Sequence, residues 1–451
     1  MKNYFVKAVL LIFTFSTVVF SQTREQKRDA ILANIKAPAI PTYTINIKSL
    51  GAKGDSIKDC KPAFDKAFAK AKKKGGAKIV VPAGIYFING PLHLESNTCL
   101  ELQKGARLKF TDNPKSYLPV VMTSWEGTFC YNYSPFIYAY QKENISIIGE
   151  GIIDGNAMKT FNTWKPSQKE DQDKSRDYNH NETPIKERVF GEGHFLRPHL
   201  VQFFECKNIL MESVTITNSP FWCVHLVKSE NATFRAINFI ARLVNNDGID
   251  PEYSKNILIE NINFDNGDDN VAIKAGRDTE GRATAIPSEN IIIRNCKFKG
   301  LHGVVIGSEM SAGVQNVFVE NCGVGGYLKR GIYLKSNPDR GGFIHDIYVN
   351  NVDLGEVEDC FFITSFYHGE GTAGFITDIH DIYIENVTCK KANNGGIIIQ
   401  GFPGKPIKDI YLKNITIDDA KIPLSLTNTE EVRMSNVSVG GIVSEAPSAA
   451  H

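Results

Sequence analysis

Nine times along the chain a polar turn ending in asparagine or aspartate leads into an alternating apolar strand, and this repeat constrains the fold more than any other feature. It reads Glu143-Asn144-Ile145, Lys207-Asn208-Ile209, Glu230-Asn231-Ala232, Lys255-Asn256-Ile257, Glu289-Asn290-Ile291, Gln315-Asn316-Val317, His345-Asp346-Ile347, His380-Asp381-Ile382 and Lys408-Asp409-Ile410. After a long first gap the intervals run from 23 to 35 residues. Self-similarity at that period signals a stacked architecture. Amphipathic helices do not alternate with these strands, which argues against leucine-rich and α/β alternatives. The expected fold is all-β, a right-handed single-stranded parallel β-helix whose coils rise about 4.8 Å each. The recurring Asn and Asp read as turn residues that hydrogen-bond their own backbone.

A solenoid's first coil is an open sheet edge and needs a cap. Asp59 to Lys74 spaces Ala and Phe at helical intervals with a lysine-rich outer face, and strands follow at Lys78 to Pro82 and through Phe87. The expected organisation is a signal peptide over 1–21, a linker over 22–44, a cap with the first coils over 45–115 and the β-helix over 116–445. The signal rests on Lys2 and Lys7 flanking the start of the apolar run Ala8 to Phe20, with Val19-Phe20-Ser21 before Gln22. It predicts export to the periplasm or beyond, with no membrane association after cleavage.

The chemistry is expected in two carboxylate-rich turns, Asn246-Asp247-Gly248-Ile249-Asp250 and Gly267-Asp268-Asp269-Asn270. The 21 residues from Asp247 to Asp268 match one coil, so three acids would share one patch. Like charges that close raise one another's pKa, and glycoside hydrolysis needs one protonated and one ionised carboxyl. Adjacent strand residues face opposite ways, so Asp268 and Asp269 reach one cleft only at a bend, which Gly267 would permit.

NNDGID, GDDNVAIKAG, Gly300-Leu301-His302-Gly303 leading into Ile306-Gly307-Ser308, and Arg330-Gly331-Ile332-Tyr333-Leu334-Lys335 resemble, in this order, the four signature motifs of glycoside hydrolase family 28, the polygalacturonases. The resemblance runs from about Ile45 to near the C-terminus. It implies an inverting hydrolase of α-galacturonosyl links in pectin, with Asp268 as acid, Asp247 and Asp269 activating water, and His302 tuning them. Lys335 would meet a uronate carboxylate, with Arg330 and Tyr333 on the substrate side. Tyr333 stands where the family usually has arginine, which leaves a rhamnogalacturonan-type or modified pectin open as substrate. A calcium-dependent pectate lyase and a non-catalytic glycan-binding β-helix are the competing readings.

Net charge of +1 from 51 basic and 50 acidic residues gives no case for nucleic acid or an anionic membrane as partner. A pectic poly- or oligosaccharide would have to meet a local basic patch on what is expected to be a monomer. The nine cysteines lack CxxC spacing, so most read as buried apolar residues and no structural zinc is expected, and the hydrolase reading requires no metal or cofactor. In the first gap, Met158 to Pro198 is charged and lacks apolar periodicity, and it is expected to project as a loop. Trp164, Phe190, His194, Phe195 and Arg197 are its candidate contacts, with Arg197 gripping substrate. Rooted a few coils before the acids, the loop would wall off the groove and favour exo-action.

Overall fold

The computed structural model describes residues 23–368 and 374–444. The expected signal peptide lies outside the described residues. Parallel strands stack into three long sheets that wrap one apolar core. A back sheet runs from Thr44–Asn46 to Thr429–Val439, and a cleft sheet from Leu92–His93 to Ala420–Thr427. Parallel strands joined by such crossovers coil right-handed. The core forms by register: Ile147, Met211, Phe234, Ile259, Ile293, Val319, Val349, Ile384 and Leu412 line up coil upon coil, all buried.

The repeat's asparagines do more than turn the chain. Asn144, Asn208, Asn231, Asn256, Asn290 and Asn316 all adopt left-handed backbone, with φ between 55° and 58°. That conformation suits Asn better than any other residue with a side chain except Asp. Their amides do not fold back on their own backbone. Those of Asn144, Asn208, Asn231, Asn290 and Asn316 donate to the asparagine one coil earlier, as in Asn208 to Asn144 at 2.9 Å, Asn290 to Asn256 at 3.0 Å and Asn316 to Asn290 at 3.0 Å. Asn290→Ala breaks two rungs and places alanine in left-handed backbone, so a loss of about 2 kcal/mol is expected. Urea denaturation checks it.

Two helices frame the solenoid. Residues 24–34, expected as linker, form α1 (Arg24–Asn34), closed by a capping box between Thr23 and Gln26. Its Ile31 packs on Leu258, Ile292 and Phe318 of the back sheet, and Arg24 lies 3.8 Å over the Tyr383 ring. The expected cap helix is α2 (Lys61–Lys73), which buries Ala63, Phe64, Ala67, Phe68 and Ala71. Strands Ala77–Val81 and Gly84–Ile88 follow it.

The insert is not simply a loop, for it contains α3 (Gln168–His180). Its buried residues, Gln168, Asp171, Ser175 and Asn179, recur at helical spacing but are all polar, so an apolar periodicity never shows. Hydrogen bonds replace apolar packing here. Asn179 donates to Thr128 and accepts from the Glu280 backbone, Asp171 pairs with His194, and Gln168 accepts from Arg197 at 2.9 Å. All nine cysteines are free and buried.

Candidate active site

The two acid turns enter adjacent strands of the cleft sheet, Ile249–Glu252 and Asp269–Ile273, paired Ile249 to Val271. That register is 22 residues, so Asp247 lies beside Asp269, and Asp268 immediately precedes the strand. The glycines act by lacking a side chain. A Cβ on Gly267 would meet the Leu243 carbonyl at 2.1 Å, and one on Gly248 the Asn270 carbonyl at 2.4 Å. Asn246 ties the first turn down, donating to the Ser219 and Phe221 carbonyls.

The structure brings Asp247, Asp268, Asp269 and Lys335 to one cleft of about 470 Å³. His302 sits in register with Asp269, and its Nδ1 is 2.6 Å from Asp269 Oδ1. Lys335 pairs in register with Gly307 rather than His302, and its Nζ lies 3.0 Å from Asp269 Oδ2. Burial alone would raise the Asp269 carboxyl, but Lys335 and His302 outweigh it and hold it well below the usual range. Burial, then the Asp269 charge, pushes Asp268 up to about 7. Asn245 donates to Asp268 Oδ2 at 3.2 Å. Burial and then Asp250 raise Asp247 well above the usual range. Asp268, Asp269 and His302 offer three ligand atoms within 4.8 Å of one another, as a divalent cation would want. Lys335 already supplies positive charge against Asp269, which disfavours a metal there.

A second network was missed by sequence reasoning. Lys274 Nζ lies 3.3 Å from Glu309 Oε2 and 3.8 Å from Asp250 Oδ1, and Arg277 binds Glu309 at 2.9 Å and Glu126 at 3.8 Å. Arg340 donates to the Ser308 carbonyl and to Asp278. Lys274 lies within GDDNVAIKAG and Glu309 directly follows Gly307-Ser308, but nothing in the linear order shows that they meet. The cleft's aromatic residues are Trp222 and Tyr367.

Three expected substrate contacts are placed elsewhere. Tyr333 is 3% exposed, packed under His302, Phe362 and Tyr367. Arg330 pairs with Asp359 at 3.1 Å, its guanidinium 4.4 Å over the Tyr333 ring. Arg197 is fully buried and donates to the Pro220 and Val244 carbonyls and to Asn245, so it holds the acid turn rather than a sugar. Burial lowers its pKa to about 10. From the insert, Phe190 is buried in a separate cluster, His194 faces Asp171, and Trp164 packs on Phe161 and Phe195. Lys165, Gln172 and Arg176 line the cleft instead.

The wall at this end is built chiefly by a hairpin, Val121–Trp125 with Thr128–Asn132. It covers the outward row of the coils before and including the first acid turn, where Gln202, His225, Asp250 and Glu252 are all 0% exposed. Thr123 donates to Gln202, and Ser124 to Glu252 at 2.7 Å. The tip residue Glu126 accepts from Gln172 and Arg176 of α3, so the insert braces the hairpin.

A parallel β-helix that gathers carboxyls in one cleft, Asp269 lowered by Lys335 and His302 beside Asp268 raised by burial, has the pairing of unlike carboxyls that glycoside hydrolysis needs. The sequence model described as glycosyl hydrolases family 28 matches residues 75–439, and the chain belongs to that family. A second model, rhamnogalacturonase A/epimerase, pectate lyase-like, matches residues 44–103. The crystal structure of a hyperthermoactive exopolygalacturonase from Thermotoga maritima superposes with a TM-score of 0.86 at 36% identity, covering 93% of this chain and 98% of that one. An exo-poly-alpha-D-galacturonosidase from Dickeya chrysanthemi is 28% identical over 95% of this chain and 76% of its own. An endo-polygalacturonase from Pectobacterium parmentieri is 30% identical over 73% of this chain and 77% of its own. The likeness is thus to polygalacturonases, and the lyase and non-catalytic readings fall away.

Proposed function

We propose an exported, inverting exo-hydrolase that releases sugar units from the end of a galacturonate-containing pectic chain. Asp268 protonates the leaving glycosidic oxygen, and ionised Asp269, with Asp247 beside it, orients and deprotonates the attacking water. Four carboxyls, Asp247, Asp250, Asp268 and Asp269, face two lysines, Lys274 and Lys335, so the cluster retains protons, and the partly exposed Asp268 is the one placed to give its proton away. Export rests on the N-terminal signal reading.

The observation that carries exo-action is the hairpin laid over the groove beside the acids, since a blocked groove admits only a chain end. The exo-acting relatives point the same way. Digestion of polygalacturonate is expected to liberate monosaccharide or one short oligomer from the first minutes with little loss of viscosity. A rapid viscosity drop with a ladder of mid-sized products refutes exo-action, and proton NMR of the fresh product reads the anomer and hence inversion.

A further inference from the structure

Six basic side chains line the cleft: Lys165, Arg176, Lys274, Arg277, Lys335 and Arg340. Five are committed within the protein. Lys335 serves Asp269, Lys274 and Arg277 serve Glu309, Arg340 serves Asp278, and Arg176 serves Glu126. Among the described residues Lys165 makes no hydrogen bond and no ion pair. It feels the charges of Arg197, Glu126, Asp268 and Arg176 across space.

The side chain is exposed to the cleft, yet its backbone is fixed. Lys165 directly follows the 3-10 turn Phe161–Trp164, and Trp164 is wedged against Tyr133, Phe161 and Phe195 with ring centroids 4.9 to 5.5 Å apart. The aromatic residue expected to touch sugar thus anchors the base of a lysine that points its charge into the cleft. An ammonium without a partner, placed in a cleft that also holds Asp268, invites an anion from outside.

We infer that Lys165 is the specificity-determining cation for the carboxylate of the sugar unit at the walled end of the cleft, so that a free uronate is taken there in preference to its ester or a neutral hexose. The inference rests on the exo reading and deepens it, because only a terminal unit occupies a walled end. Glu126, on the hairpin tip at the same end, is an acceptor suited to sugar hydroxyls and would repel a carboxylate placed against it. The carboxylate is therefore directed to the lysine and the hydroxyl edge to the hairpin. Polymer that is methyl-esterified at its ends would need a de-esterifying reaction first.

The test compares wild type, Lys165→Met and Lys165→Arg on trigalacturonate and on the same trisaccharide methyl-esterified only on the unit that is released. The wild type is expected to favour the free acid by about 10- to 100-fold in kcat/KM, the range of a hydrogen bond to a charged group. Lys165→Met is expected to lose that preference through a higher KM for the free acid, with the ester rate within about twofold of wild type, and Lys165→Arg to restore most of it. The melting temperature should hold, because Nζ has no internal partner to lose. Retention of the full preference by Lys165→Met, or an equal fall on both substrates, overturns the assignment. The exo reading is judged separately from the wild-type product profile, since charge preference is measured wherever the chain is cut.

Discussion

Asp268→Asn is expected to fold normally and to lose roughly 10²- to 10⁴-fold in kcat, the scale of a positioned general acid. An amide cannot give up a proton to the departing oxygen, but it keeps the shape of the carboxyl, and its one oxygen can still accept from the Asp269 backbone N–H. The pH profile separates this from a packing defect. A group with a pKa of about 7 is protonated below that value, so wild-type kcat is expected to hold through mildly acidic pH and fall as pH rises through about 7. Asp269 lies well below the usual range and stays ionised across the same interval, so it sets no acid limb there. In Asp268→Asn the residual rate should lose the limb near 7. Near-normal turnover, or a limb that survives unchanged, sinks the assignment of the acid.

The second large effect is on stability. Lys274 is 3% exposed, between Glu309 and Asp250 and 4.4 Å from the face of Trp222. Burial pulls its pKa down, but Glu309 and Asp250 more than reverse this and hold it raised. Both Asp250 oxygens lack a hydrogen-bond partner, so Lys274 is its principal compensation. Lys274→Met keeps the length and leaves two buried acids without that charge. Removing one partner of a buried ion pair typically costs about 3–5 kcal/mol, and a loss of that size is expected. The sign of the pH response follows. With the lysine gone, the Asp250 carboxyl rises further above its unfolded value, so the variant is least stable at high pH and recovers as pH falls and the acids take up protons. Thermal melts from pH 5 to 8 check both, and a shift under about 1 kcal/mol at pH 8 would mean the acids are solvated after all.

Much of the scaffold was legible because a solenoid is written locally. Each coil repeats a turn residue and an alternating strand, so Asn208, Asn256 and Asn290 announce the period without knowledge of their partners. The cap helix was legible too, since Phe64 and Phe68 form an apolar stripe. Helix α3 was not, because its buried stripe is Gln168, Asp171, Ser175 and Asn179, and polar burial becomes recognisable only when the partners are in view. Helix α1 had a capping box and Ile31 to show, but its partners Phe318 and Tyr383 lie hundreds of residues away.

By itself the sequence determined the stacked fold, the polygalacturonase likeness and the meeting of Asp247, Asp268 and Asp269, because coil spacing turns sequence intervals into lateral contacts. Only the tertiary structure decided which groups surround those acids. Glu126 meets Arg277 across 151 residues and Lys335 meets Asp269 across 66, while Arg197 and Tyr333, chosen by residue type, are packed out of the cleft. Charge and aromaticity say what a side chain can bind. Whether it is free to do so depends on the partners that folding has already given it, and in this cleft that leaves Lys165 uncommitted while five other cations are engaged.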